Sequence, residues 1–367
     1  MLFFHGINDC NKLFMVKFRF FSRFPMTQAV TGGNIYDSAV LSILQNIKGI
    51  DAECVPLDDK GHPYSLLFSP FYYIKKGLPQ IDCDLIIFNS ALFMRFLPLM
   101  FVLKFFFRKK TLVIHHHFMY RQFRGLKRWL YKQCEWRFLK LSSNIVVASP
   151  YVYDELKDYI DINKLIYWRI PFEAVPSFNS NPIVGNLTYM GTIESRKGLH
   201  FLMEALQKMQ SKGINYHLTI IGKTVEEPYR KNIDNYISDH SINAHFTGFI
   251  SKEEKEKILS ETDIFVFPSQ LEGFGMVLVE AQVYGLPIVC FNNSAMPFSV
   301  FDNINGFVVP NKDTTKFAEA IEKIISDRNL RNHMSKEAQL NASKQNTHDK
   351  FCKDIIDYVK HHYLTKS

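Results

Sequence analysis

The chain has no C-x-x-C, no paired cysteine spacing and no G-x-G-x-x-G. Its six cysteines, Cys10, Cys54, Cys83, Cys134, Cys290 and Cys352, stand far apart among 367 residues. That scatter argues against a disulfide framework or a zinc site and fits a reducing, cytoplasmic setting. Without a G-x-G-x-x-G, a nicotinamide-dependent oxidoreductase loses its main support. No run reaches the roughly 20 clean apolar residues of a membrane span. The nearest, residues 91–107, is interrupted by Arg95, Pro98 and Lys104. Asn, Asp and Lys break the amino-terminal stretch before a signal-peptide core forms. Met15-Val16-Lys17-Phe18 reads as the natural start of a first strand, which leaves residues 1–14 as an extra, loosely held segment.

What is present is an ordinary globular composition, 47% hydrophobic and 22% charged, which excludes wholesale disorder. The length suggests two domains. Net charge is +8 and unevenly spread. Residues 1–180 carry 23 Lys and Arg against 14 Asp and Glu, whereas residues 181–367 carry 21 against 22. Nineteen of the 33 phenylalanines precede residue 141. A basic, Phe-rich first half points to an anionic partner. Between residues 95 and 140, twelve Lys and Arg face one acid, Glu135. Spacing predicts a helix over 121–141 that buries Phe123, Leu126, Leu130, Cys134, Phe138 and Leu141 and leaves Trp129 and Trp136 on another face among cations. That surface, with segment 91–107, suits an anionic membrane surface, so a peripheral location on the inner face of the cell membrane is expected. The bland reading is a structural helix with a solvated basic side. No nucleic-acid module accompanies the charge, so no nucleic-acid partner is expected.

Short apolar runs at 16–21, 52–55, 85–88, 112–114 and 145–148 alternate with helical or irregular stretches. A Pro-rich linker over 171–182 follows. The pattern then restarts: strands at 187–190, 217–221, 244–247, 264–267, 287–291 and 307–309 alternate with helices through residue 343. Strands buried on both faces between helices predict parallel sheets, and ligands in such sheets sit at the strands' carboxyl ends. The expected domains are 1–176, basic and acceptor-side, and 183–345, with a helix over 346–367 packing back on the first. Asp82-Cys83-Asp84 spells a D-x-D but opens a strand, so both aspartates read as surface or strand-start residues. Gly222-Lys223-Thr224 fails as a P-loop because the required glycine position holds His217.

Two clusters carry the chemistry. Pro268-Ser269-Gln270-Leu271-Glu272-Gly273-Phe274-Gly275-Met276 follows a buried strand and opens a helix, with Glu280 about two turns on from Glu272. Glycines there let the backbone approach a ligand, and the helix start presents N–H groups to an anion. The second cluster, Gly191-Thr192-Ile193-Glu194-Ser195-Arg196-Lys197-Gly198, again joins a strand to a helix. Its adjacent cations suit a diphosphate. An ordinary helix start and two solvated cations are the structural alternatives.

In this order the clusters resemble the nucleotide-binding half of retaining glycosyltransferases of the GT-B fold, glycosyltransferase family 4 (group 1). That family is marked by a glutamate, seven residues and a second glutamate in an E-G-F-G context, with G-R-L-x-x-x-K-G upstream. Thr192 stands where the family has arginine, with Arg196 as a partial replacement. Ile220-Ile221-Gly222, Thr247-Gly248-Phe249-Ile250, Gly285-Leu286-Pro287 and Asn305-Gly306-Phe307 also match. The resemblance is dense over 187–325 and thin before 180.

It implies two doubly wound Rossmann-like α/β domains facing across a cleft, and transfer of a sugar from a UDP- or GDP-linked donor with retained configuration. The acceptor would be lipid-linked or a saccharide, in surface polysaccharide or glycolipid synthesis. Glu280 would bind the ribose, Glu272 and backbone 273–276 the sugar and phosphates, Lys197 and Arg196 the leaving diphosphate, and Phe249 and Ile250 the base. No metal or other cofactor is implied. Thr31-Gly32-Gly33 resembles the family's glycine loop. His115-His116-His117 ends a strand where members carry a histidine near the reacting sugar, and register favours His115 or His116. As neighbours on extended backbone the three point apart, which argues against a metal site. Two rivals stand beside transfer: an epimerase of the same fold, and a non-catalytic membrane- or phosphate-binding protein.

Overall fold

A computed structural model describes residues 15–22, 32–56, 69–172 and 181–364. The segment 1–14, Thr31 and residues 173–180 of the Pro-rich stretch lie outside the described residues. The chain divides into two units, Met1–Ile170 with His348–Ser367, and Pro171–Thr347.

The first unit runs β1 (Val16–Ser22), α1 (Gly32–Gln45), β2 (Ile50–Pro56), α2 (Ser69–Gly77), β3 (Leu85–Asn89), α3 (Phe93–Phe105), β4 (Thr111–His115), α4 (Gly125–Leu141), β5 (Asn144–Val147), α5 (Pro150–Leu156) and β6 (Leu165–Tyr167). Its sheet has the order β2-β1-β3-β4-β5-β6 and every pairing is parallel. Leu85–Phe88 and Leu112–Ile114 are buried throughout, because helices cover both faces and an alternating pattern would place polar groups in the core. Asp84 secures the start of β3 by accepting the Lys17 N–H at 2.8 Å, and Asp82 pairs with the Lys17 ammonium at 3.0 Å.

The second unit runs β7 (Asn186–Met190), α6 (Leu199–Ser211), β8 (His217–Ile221), α7 (Glu227–His240), β9 (Ala244–Gly248), α8 (Lys252–Glu261), β10 (Ile264–Phe267), α9 (Met276–Val283), β11 (Ile288–Phe291), α10 (Met296–Ser299), β12 (Gly306–Val309), α11 (Thr314–Ser326) and α12 (Arg328–Ser343). The sheet order is β12-β11-β10-β7-β8-β9, again parallel. The last helix, α13 (His348–Val359), returns to the first unit. Its i, i+4, i+8 residues Phe351, Ile355 and Val359 are buried, Phe351 against Tyr36 and the following Tyr358 against Trp168. Burial of each such side chain contributes about 1.5–3 kcal/mol.

The 121–141 expectation needs correction. Helix α4 begins at Gly125, and it buries Glu135, Phe138 and Leu139. Leu126 is 73% exposed, and Trp129 and Leu130 are exposed with it. Trp136 instead lies against Phe118, ring centroids 5.0 Å apart. Length explains the difference. A helix of 17 residues spans about 25 Å, whereas the strands beside it, of five and four residues, span roughly 13–17 Å. The helix is longer than the strands it covers, and it is the apolar residues of its first two turns that stay exposed. Segment 91–107 contains α3, with Phe96, Leu99, Met100 and Leu103 inside and Phe101 and Phe105 exposed, as are Phe106 and Phe107 just beyond its end. Among the described residues no helix is long and apolar enough to cross a membrane.

Candidate functional site

In the second unit the chain leaves β7 for β8 and β9, then returns to β10 on the other side. Ligands in open parallel sheets bind outside the carboxyl ends of the strands at such a reversal. Both sequence clusters lie there: Gly191–Gly198 follows β7 and Pro268–Gly275 follows β10. Close backbone approach locks the loops together. Gly198 has φ +73°, and a Cβ on it would stand 2.2 Å from the Pro268 carbonyl oxygen. Only glycine allows that approach. The Gln270 N–H donates to the Arg196 carbonyl at 2.9 Å across the same seam.

Glu272 is the hub. Its Oε1 accepts from the Lys197 ammonium at 2.5 Å and from the Ser269 hydroxyl at 2.7 Å, with an Arg196 nitrogen at 3.8 Å. The Ser294 hydroxyl accepts the Glu272 N–H at 2.9 Å. Burial pushes the Glu272 carboxyl up, but the charges of Lys197 and Arg196 and the two hydrogen bonds outweigh it, holding the group below its ordinary value. Lys197 also stands over the Phe267 ring, 5.4 Å from its centroid.

Arg196 is largely engaged. It donates to the Leu271 carbonyl at 2.9 Å and to Glu194 at 2.7 Å, and Thr192 donates to the same Glu194 oxygen at 2.7 Å. The guanidinium therefore braces the two loops, whereas the Lys197 ammonium bonds to Glu272. Gly273 and Gly275 form the turn into α9, which Met276 opens. Phe274 stacks on Phe172 at 5.5 Å. Glu280 pairs with Lys255 at 2.5 Å. Gly191 follows β7 directly, its N–H on the Ile221 carbonyl at 2.9 Å. Phe249 is 90% exposed, and Ile250 lines a groove of about 470 Å³ beneath α8 that holds neither cluster.

The first unit reverses between β1 and β3. Gly32 and Gly33 open α1, and a Cβ on Gly33 would touch the His116 ring at 3.5 Å. His116 Nε2 lies 2.9 Å from Asp37 Oδ1, and the Asn89 amide donates to the other Asp37 oxygen. His115 is fully buried, with Nδ1 2.8 Å from the Ser90 hydroxyl, and burial holds it well below its ordinary value, hence neutral. Strand β4 ends at His115, still inside the core, so His116 just beyond it, not His115, presents surface beside the glycine turn. Among the described residues no three His, Cys, Asp or Glu side chains gather as a metal ion needs.

Sequence reasoning missed Asp37, Asn89, Ser294 and Lys255, and it gave Ser269 no role within its cluster. Only Asp37 had a signal, a lone carboxylate three and four residues before the apolar Val40 and Leu41 of its helix.

Residues 178–341 match the family described as Glycosyl transferases group 1, so the chain carries a domain of that family there. A Klebsiella pneumoniae protein, described as an uncharacterized 41.2 kDa protein in the cps region, is 25% identical over 71% of this chain and 75% of its own length. The Staphylococcus aureus capsular polysaccharide biosynthesis glycosyltransferase CapM is 32% identical over 42% of this chain and 39% of its own length. Among solved structures, sucrose-phosphate synthase from Thermosynechococcus elongatus superposes with a TM-score of 0.78 at 16% identity, covering 96% of this chain and 100% of that one. Anabaena HepE in complex with UDP-glucose gives 0.74 at 15% identity, covering 94% and 99%. These likenesses show the fold, GT-B.

Proposed function

We propose that this protein transfers a sugar from a nucleotide-sugar donor to a saccharide or lipid-linked acceptor, with retained anomeric configuration, in surface polysaccharide assembly. The observation that carries the reading is the Lys197–Glu272 pair at the carboxyl ends of β7 and β10. The bond between the anomeric carbon and the diphosphate breaks, and its electron pair leaves on the diphosphate. The acceptor hydroxyl oxygen forms the new bond and its proton is released with the diphosphate. Lys197 meets the developing negative charge and Glu272 holds it in place, a fixed-charge stabilisation that needs little reorganisation. Glu280 takes the ribose, which displaces Lys255. In the first unit, His116, oriented by Asp37, meets the sugar. No cofactor is required in this scheme. The group 1 match and the likeness to the capsular polysaccharide glycosyltransferase CapM support transfer and polysaccharide assembly, and a UDP-linked donor draws support from the ligand of HepE.

Thermal-shift measurements against UDP, GDP, ADP, CMP and their sugars test the donor. A nucleotide at about 100 times its Kd adds roughly 2.7 kcal/mol of stability. Product analysis then separates transfer from epimerisation, since an epimerase releases a new nucleotide sugar without any acceptor. Failure of every nucleotide to stabilise folded protein overturns the reading.

A further inference from the structure

Helices α3 and α4 lie side by side on one face of the first unit's sheet, as right-handed crossovers from β3 to β4 and β4 to β5 require, and Phe93 meets Tyr131 edge-on at 5.8 Å. Each presents an apolar i, i+4 pair to solvent. On α3 the pair is Phe101 and Phe105, with ring centroids 4.6 Å apart, and Phe106 continues it at 74% exposure. On α4 it is Leu126 and Leu130, flanked by exposed Trp129. Soluble proteins rarely leave such clusters bare unless something covers them.

Charge identifies what covers this one. Twelve Lys and Arg lie between residues 95 and 140, and the sole acid, Glu135, is buried. Helix α4 also places Lys127 and Arg128 near its start, with no acid in the first turn. Cations there oppose the positive end of the helix dipole, a cost that nearby anions relieve. Exposed aromatic and leucine side chains on the same helix as Lys127 and Arg128 match the boundary of an anionic bilayer, where the apolar groups enter the acyl region and the cations meet headgroups.

We propose that the outer face of α3 and α4 docks on a membrane carrying anionic phospholipid, with Phe101, Phe105 and Phe106 at one end and Leu126, Trp129 and Leu130 at the other. The proposal rests on this surface alone and stands or falls separately from the transferase reading.

Co-sedimentation of the full chain with phosphatidylcholine vesicles, with and without phosphatidylglycerol, tests it. Binding is expected only with phosphatidylglycerol, falling as salt rises. Leu126→Ser/Trp129→Ser/Leu130→Ser and Lys127→Glu/Arg128→Glu each weaken it by about tenfold or more. Unchanged melting temperatures certify folding, since these side chains are exposed. Brominated lipid is expected to quench wild-type fluorescence and to lose that effect in Trp129→Phe, a readout independent of affinity. Four results overturn the proposal: equal or absent binding to the two vesicles at low salt, wild-type binding by both variants, a homodimer that the triple serine variant disperses, or displacement from the vesicles by heparin but not by added lipid vesicles rich in phosphatidylglycerol, the last in favour of a polyanion partner.

Discussion

The ammonium of Lys197 and the carboxylate of Glu272 lie 2.5 Å apart, although 75 residues separate them in sequence. Each comes from the loop after one of two adjacent parallel strands, so the pair forms only when β7 and β10 are in register. Both side chains are largely shielded, and removing one partner leaves the other charge poorly compensated. Lys197→Met is therefore expected to lower stability by about 1–3 kcal/mol and transfer by about 100-fold or more. Chemical denaturation and turnover with a nucleotide sugar check the two effects. Glu272 adds a pH signature. Its folded value lies below the ordinary 4.5, so its contribution is complete above that pH and is lost as the pH falls below it. Glu272→Gln is expected to remove that part of the acid lability.

Two glycines with the same backbone angle give a controlled comparison. Gly198 and Gly213 both have φ +73°, but a Cβ on Gly213 meets nothing within 4 Å, whereas on Gly198 it meets the Pro268 carbonyl. Gly213→Ala is expected to cost about 1 kcal/mol, the left-handed penalty alone. Gly198→Ala is expected to cost about 3 kcal/mol or more and to depress activity, because it pries the two site loops apart. Melting curves of the two variants side by side decide this. Equal destabilisation would falsify the seam between the loops.

The strands were legible because Ile86–Phe88 and Phe265–Phe267 are apolar without alternation, the mark of strands covered on both faces. Strand β6, Leu165–Tyr167, escaped notice at three half-buried residues, too short for any period to register. Helix α4 was legible as a helix but not in its burial, since periodicity reports which residues share a face and not whether a sheet lies beneath them. The two glutamates stood out by spacing. Their partners did not: Lys255, Ser269 and Ser294 are ordinary residues until the chain folds them against Glu280 and Glu272.

Asp37 is the clearest such case, since His116 and Asn89 reach it from 79 and 52 residues away. Asp37→Ala orphans both donors and is expected to cost about 1–3 kcal/mol. Asp37→Asn keeps one acceptor oxygen and is expected to cost about half as much. If the aspartate positions His116, Asp37→Asn lowers kcat by about tenfold with donor KM changed by less than about twofold. A parallel rise in KM with unchanged kcat would count against a positioning role.

Glu135 gives a pH dependence of opposite sign to that of Glu272. Its carboxylate, on α4, accepts the N–H groups of Met119 and Tyr120 in the turn that precedes the helix, at 2.9 and 3.1 Å. Burial pushes it up to about 7, more than the two N–H bonds and Arg121 pull it down. The folded state therefore holds a proton that the unfolded state, near 4.5, has released. Stability from this group is present below the unfolded value and is lost as the pH rises through the folded one. The loss is up to roughly 3 kcal/mol between the two. Glu135→Gln cannot ionise, and it trades one accepted N–H bond for the absence of buried charge. Denaturation midpoints of the wild type are expected to fall between pH 5 and pH 8 relative to those of Glu135→Gln, whose own profile stays flatter over that range. Parallel profiles for the two proteins would mean that Glu135 is ionised throughout, held by its two backbone donors despite burial.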